Sequence, residues 1–228
     1  MTWLLAQGSG DRAFIRWRWI GGHLDDIWQQ TVEHLTLTGI AVGVGLAVSL
    51  LLAVVALRWR RLYAPIAAAG GILYTIPSIA AFALLVPFFG FSYLTAEIAL
   101  VSYTILILVR NIVTGIDGVP DEVLEAATGM GYTGPRRFVG IELPLALPVI
   151  IAGIRVATVT TVGLVTVTAL IGQGGLGKFI LDGFRRSIIF PTAIFVGTVG
   201  SVVLAVVLDA LLLGLERLLA PWQRRVAG

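Results

Sequence analysis

An all-α, polytopic membrane protein with about five transmembrane helices is the fold class the sequence predicts, and three observations carry it. The chain is 57% hydrophobic and only 13% charged, about half the charged share of ~25% typical of a soluble domain, and its mean hydropathy is +0.95. The apolar residues gather into five blocks, each near the ~20 residues needed to cross a hydrocarbon core. Those blocks are continuously apolar. Backbone in lipid must satisfy its own hydrogen bonds, so such blocks are helices, whereas a β-barrel would alternate apolar and polar residues. The net charge of +3 is small, and the basic residues sit mainly at the ends of the blocks. That places the lipid bilayer, and no nucleic acid, among the partners. There is no cysteine, which excludes disulfides, cysteine zinc sites and thiol nucleophiles. The opening MTWLLAQGSG lacks a basic n-region and carries too short an apolar core for a signal peptide.

In chain order, residues 1–30 read as an outer or interfacial N-terminal segment. Within 19–33, Leu24, Ile27 and Trp28 share one helical face, which suits an interfacial helix with tryptophans at headgroup level; a plain extension of the first span fits the same pattern. The region 31–215 holds spans at about 34–57, 62–88, 94–114, 145–171 and 192–215, a polar loop at 117–144 between the third and fourth, and 216–228 as a tail. Gly39 and Gly43 form a GxxxG in the first span, a pattern of close helix packing. In the second span, Pro77 removes one helical hydrogen bond while Thr75 and Ser78 can re-satisfy freed backbone. The resulting kink is read either as a gate or as a purely structural bend. In the fourth span, Arg155 is a costly charge that should face the interior or a water-filled path. Thr158, Thr161 and Thr168 share its face, either lining that path or packing helices, and Asp209 in the fifth span is its expected ion-pair partner. With the N-terminus outside and the C-terminus cytoplasmic, Arg58, Arg60, Arg61, Arg110, Arg136, Arg137, Arg217, Arg224 and Arg225 lie inside. They outnumber Arg12, Arg16, Arg18, Lys178, Arg185 and Arg186 outside.

The loop is the most informative segment. Pro120 suits a first helical turn, and Asp121 and Glu122 follow it where negative charge is favoured. About two turns over 121–128 present the small Ala126 and Ala127, Gly129 and Gly131 end the helix and permit positive φ, and Pro135 can start a second short helix with Arg136, Arg137 and Phe138. Residues 125–144 read EAATGMGYTGPRRFVGIELP. Every fixed position of the EAA loop of ABC-importer permeases is filled here: Glu125-Ala126-Ala127, then Gly131, Ile141, Leu143 and Pro144. The chain thus resembles the permease subunits of type I ABC importers. Through Thr75-Ile76-Pro77-Ser78 and GQGGLG at 172–177, it resembles more narrowly the osmoprotectant permeases for glycine betaine, carnitine and choline. That resemblance implies a non-enzymatic transport subunit in the inner membrane, with no cofactor of its own. ATP and Mg would be bound by a dimer of ABC ATP-binding subunits, docked through Glu125, Ala126, Ala127 and Gly131, with Leu143 and Pro144 as the hinge into the membrane. A second permease, another copy or a homologue, and an extracytoplasmic solute-binding protein complete the implied assembly, and the 172–177 segment would lie near the latter.

Other patterns exclude chemistry. GQGGLG followed by Lys178 fits the start of a P-loop, but Phe179 stands where Ser or Thr must hold Mg²⁺, and no soluble strand precedes it. His23 and His34 have no carboxylates arranged beside them as metal ligands and read as satisfied interfacial histidines; Ser78 and Ser201 lack His and Asp partners for catalysis. The alternatives are a methionine or other amino-acid importer permease, which shares loop and topology, and an ATP-independent channel or secondary transporter. The latter needs an ion-coupling site, for which the spans offer only Arg155, Asp209 and Glu97.

Overall fold

The computed structural model describes residues 14–186 and 190–222; Arg12, Arg224, Arg225, and with them much of the N-terminal segment and the tail, lie outside the described residues. Among the described residues ten α-helices follow in order: α1 Trp17–Gly22, α2 Leu24–Arg58, α3 Tyr63–Thr75, α4 Ser78–Phe89, α5 Tyr93–Asp117, α6 Asp121–Gly129, α7 Gly134–Arg137, α8 Leu143–Thr168, α9 Gly177–Arg185 and α10 Pro191–Leu219. A π-helical turn, Phe138–Glu142, joins α7 to α8 without a break, so a single apolar rod runs from Gly134 to Ile171. No strand occurs among the described residues. Among the described residues four helical stretches are long and apolar enough to cross a membrane, and a fifth crossing results if α3 and α4, bent by 94°, form one broken span.

The first span does not begin with a separate interfacial helix. The chain turns at His23 (φ −125°, ψ 23°), and from Leu24 a single helix of 35 residues runs to Arg58. At 1.5 Å per residue it is ~52 Å long, well beyond a hydrocarbon core of ~30 Å. The excess is its first turns, where Leu24 and Trp28 stay exposed while Ile27 packs against the α9–α10 cluster.

α5 sits at the centre, packed against α2, α3, α4 and α8, while α10 closes the bundle against α8 and α9. Small residues set the spacing, as expected where helices associate by close packing in lipid. A side chain at Gly45 of α2 would enter Thr104 of α5, and one at Gly153 of α8 would enter Asn111 of α5. Gly39 and Gly43 do not make such contacts; nothing among the described residues lies within 4 Å of the space a side chain would fill at either. They border an open apolar groove of about 490 Å³ with Thr38, Ile154, Thr158 and Leu211. The GxxxG thus belongs to an unfilled face, and Gly45 is the contact glycine of α2.

The bundle has two distinguishable ends. At the loop end, Arg60 donates to Asp117 at 2.6 Å, which brings the α2–α3 corner beside the end of α5. At the other end, called the turn end for the 172–177 turn between α8 and α9, Thr192 accepts from the Arg16 backbone and donates to the Phe14 carbonyl, and Gln173 donates to the Phe91 carbonyl at 3.3 Å.

Candidate functional site

At the loop end, α6 starts after Pro120, whose extended backbone (φ −59°, ψ 139°) leads into a first turn carrying Asp121 and Glu122. Its far end is a Schellman cap. Tyr132 N–H bonds the Ala127 carbonyl at 3.1 Å and Gly131 N–H the Thr128 carbonyl at 3.0 Å, with Gly131 in the left-handed region at φ +85°. That conformation is the reason for glycine at this position. Gly129, expected to share the role, is instead the last residue of α6, without positive φ. The loop then fastens to itself: Arg137 donates to Thr128 Oγ1 at 3.1 Å and to Glu142 Oε1 at 2.8 Å. The two alanines part company, for Ala127 is wholly buried and Ala126 exposed. Asp121, Leu124, Glu125, Thr128 and Arg137 border an open cleft of about 420 Å³, and Met130, Tyr132 and Val139 present apolar surface beside it. Leu143 and Pro144 open α8 within the continuous rod, without a bend of their own in secondary structure.

In the second span the expected kink is a full break. Pro77 lacks an N–H and disfavours α geometry at the residue before it, so Ile76 (φ −66°, ψ 125°) and Pro77 (φ −56°, ψ 134°) are both extended. The freed groups find partners: Thr75 Oγ1 donates to the Ile72 carbonyl at 2.8 Å, and the Tyr103 hydroxyl of α5 donates to the Ile76 carbonyl. Ser78 begins α4 and Pro77 supplies its carbonyl to Ala81 N–H at 2.9 Å. Sequence reasoning missed Tyr103, because nothing local to residue 103 points to a carbonyl 27 positions away.

Arg155 meets its expected partner. Its guanidinium binds both oxygens of Asp209, at 2.8 and 2.9 Å, and lies 3.5 Å from Glu216. One cation thus faces two carboxylates and ties α8 to α10, a bidentate geometry that suits arginine. Thr158, Thr161 and Thr168 are buried, and each hydroxyl donates to a carbonyl of its own helix, at Ile154, Ala157 and Val165. Glu97 is buried one turn into α5, and its carboxylate oxygens meet no hydrogen-bond partner among the described residues.

At the turn end, His34 is not interfacial but wholly buried. Its Nε2 lies 3.0 Å from the Val162 carbonyl of α8, and its Nδ1 accepts from Leu176 N–H at 3.2 Å. A carbonyl must be met by a donor and an N–H by an acceptor, so the neutral ring protonated on Nε2 satisfies both. Glu33 beside it accepts from Gly174 N–H at 3.0 Å. The GQGGLG segment is therefore a tight connection between α8 and α9 with Gly172 and Gly175 at positive φ. No three His, Cys, Asp or Glu groups among the described residues are placed to hold a metal.

Residues 39–225 match the family described as "Binding-protein-dependent transport system inner membrane component". Over 196 residues, covering 84% of this chain and 90% of the relative, the chain is 39% identical to the osmoprotectant import permease protein OsmW of Salmonella typhimurium. It is 38% identical to the choline transport system permease protein OpuBB of Bacillus subtilis, over 86% of this chain and 89% of that protein. A similar match, at 36% identity over 86% and 89%, is the glycine betaine/carnitine/choline transport system permease protein OpuCB of Bacillus subtilis. Among solved structures, the MetNI methionine ABC transporter in an inward-facing conformation aligns with a TM-score of 0.74 at 20% identity, covering 85% of this chain and 95% of that one. An amino acid ABC transporter with histidines aligns at 0.72 and 17%, covering 87% and 96%.

Proposed function

The chain belongs to the family of binding-protein-dependent transport system inner membrane components, and from that premise we propose that it forms the translocation pathway of an ATP-driven importer for a small quaternary-ammonium osmoprotectant such as glycine betaine, choline or carnitine. The observation that carries the substrate class is the run of relatives at 36–39% identity, matched over most of both chains and named for osmoprotectants or choline. The likeness to the methionine transporter and to the amino acid transporter with histidines is at 20% and 17% identity and speaks for the fold alone.

Within this reading the loop end is cytoplasmic. Arg58, Arg60, Arg61, Arg110, Arg136, Arg137 and Arg217 belong to it, in keeping with the positive-inside rule, so the N-terminus is outside and the C-terminus inside. A dimer of ATP-binding subunits, which supplies ATP and Mg, docks on α6 and α7. Glu125, Ala126 and the cap at Gly131 form the contact surface, while Ala127 holds the loop together from within. Leu143 and Pro144 pass the movement into α8. The break at Thr75, Pro77 and Ser78 is the gate, since two half-helices meeting at 94° can change their angle without breaking hydrogen bonds inside either half. Arg155, Thr158 and Thr161 hold α8 against α10 and α2; their polar groups are engaged with Asp209, Glu216 and their own helix, which supports a packing role over contact with solute. A second permease, another copy or a homologue, and an extracytoplasmic solute-binding protein at the turn end complete the importer.

The test is uptake of radiolabelled choline, glycine betaine and carnitine by cells lacking their own osmoprotectant importers. This chain is supplied with its ATPase and binding protein, and methionine and histidine serve as controls. Uptake of at least one quaternary amine, abolished with an ATPase-dead partner, is the expected result. Uptake of methionine alone, or uptake that survives the dead ATPase, overturns the reading.

A further inference from the structure

Two adjacent residues of α2 reach across the bundle to a segment some 140 positions away. Glu33 Oε1 takes the Gly174 N–H at 3.0 Å. His34 takes the Leu176 N–H on one ring nitrogen at 3.2 Å and gives its other N–H to the Val162 carbonyl of α8 at 3.0 Å. The packing leaves no slack around these bonds. A side chain on Gly174 would enter the Glu33 carboxylate, one on Gly175 would press on His34 Nδ1 at 3.2 Å and Val165 at 3.3 Å, and one on Gly177 would enter the Thr166 backbone of α8. Leu176 itself is buried against α10, where its carbonyl would lie 2.6 Å from a side chain on Gly197.

A glycine-rich turn with two left-handed residues is soft by itself, because glycine has the largest backbone freedom to lose. Here that freedom is removed by donors and acceptors from α2 and by close approach of α8. The imidazole is the joint. It touches both the turn and α8, and the rod of 38 residues that contains α8 begins at Gly134, within the loop. At 1.5 Å per residue this rod is ~57 Å long, enough to reach from the turn end to the loop end of the bundle. Beside the clamp, Gln30, Glu33, Gln173, Lys178 and Asp182 border a polar cleft of about 290 Å³, so the clamped turn lies at the floor of a surface open to a partner.

We propose that Glu33 and His34 are positioning residues that clamp the 172–177 turn to the far end of α8. A contact made on the turn by a solute-loaded binding protein is thereby carried along one continuous helical rod to the ATPase-docking loop. This inference rests on the importer function proposed above. It assigns His34 the part of a neutral, doubly bonded splint, for which a side chain offering one donor and one acceptor is required and an apolar one fails.

The experiment uses the importer complex purified through a tag on this chain, with its ATPase, in lipid nanodiscs, and adds its binding protein loaded with choline or glycine betaine. In the wild type, the loaded binding protein raises ATP hydrolysis above its basal rate. In His34→Ala the basal rate persists while the ratio of stimulated to basal hydrolysis falls towards one. In His34→Gln, which supplies an amide donor and a carbonyl acceptor, part of the ratio returns. Hydrogen exchange gives a second readout that needs no solute: amides at 174–179 exchange several-fold faster in His34→Ala, and the Gly174 amide does so in Glu33→Ala, the milder change should His34→Ala fail to assemble. A wild-type ratio in His34→Ala, or unchanged exchange at Gly174 in Glu33→Ala, overturns the clamp. A wild-type complex stimulated only by methionine overturns the osmoprotectant reading instead, and exchange then decides the clamp alone.

Discussion

The loop at 117–144 and the turn at 172–177 are both glycine-punctuated connections between helices, and they are held in opposite ways. The loop is fastened by its own residues: Tyr132 to Ala127, Gly131 to Thr128, Arg137 to Thr128 and Glu142, each bond joining residues nine positions apart or fewer. Its outer surface, with Ala126, Met130 and Val139, stays free. The turn is fastened from a distance, by Glu33 and His34 of α2 and by the close approach of α8 and α10, and its middle is buried. A self-contained loop keeps its own shape while it docks and hands movement to the rod that continues into α8, whereas an embedded turn moves only with the helices that grip it. That difference suits one end to receiving a motor and the other to reporting what happens at the surface.

Glycine substitutions separate the two ends most sharply. Gly131→Trp puts a bulky side chain at φ +85° on the face proposed to dock the ATPase, where the left-handed conformation alone costs roughly 1–2 kcal/mol. The chain should still insert and assemble into its membrane, but uptake should vanish; wild-type uptake in this variant would remove the loop from the docking role. Gly177→Ala acts on the fold instead. Its new methyl group meets the Thr166 backbone, and such overpacking costs about 1–3 kcal/mol or more. It should lower the thermal midpoint and yield in detergent well below those of Gly129→Ala, a helical loop position where a side chain meets nothing within 4 Å among the described residues; equal midpoints would mean the turn is not gripped.

The two alanines sharpen the contrast inside the loop. Ala126→Trp, on the exposed side, should block ATPase co-purification and leave the thermal midpoint unchanged. Ala127→Trp, at a wholly buried position, should lower the midpoint as well. The reverse pattern would invert the assignment of contact and support. For the tie between α8 and α10, Arg155→Asp with Asp209→Arg should recover expression and uptake lost in each single variant, because the bidentate geometry is retained with the partners exchanged; failure of the double variant leaves Glu216 as the partner that matters. The smallest expected effect is at the helix break. Tyr103→Phe deprives the Ile76 carbonyl of its partner, a loss of about 1 kcal/mol, read as a modest fall in midpoint and a changed uptake rate if the break is the gate.

How much of this was legible differs along the chain for a physical reason. Pro120, Gly131 and Pro135 act on φ, ψ and their nearest neighbours, so the helices of the loop and the left-handed cap follow from the segment itself, and Gly129 was misjudged only because two glycines competed for one cap. Pro77 likewise announces an irregularity, but not its size: a proline kink and a 94° break begin from the same missing N–H, and the Tyr103 hydroxyl that stabilises the extended Ile76 comes from another helix. Arg155 and Asp209 were paired from depth and charge alone, since each was the obvious remedy for the other in an apolar span; Glu216, at the helix end, was not seen. His34 looked like one more histidine near a headgroup region, and only the packing of α2 on α8 and the turn buries it with both nitrogens engaged.

By itself, then, the sequence determined that the chain is a bundle of apolar helices, where the polar loop interrupts it, and which family's docking pattern that loop carries, because hydropathy, proline and glycine act locally and leave their mark in spacing. Only the tertiary structure decided which alanine faces out, how far the second span is broken, which glycine of α2 touches α5, and that Glu33 and His34 hold the turn. Each of these is a contact between residues far apart in sequence, and nothing in the order of residues along the chain states which helix faces will meet.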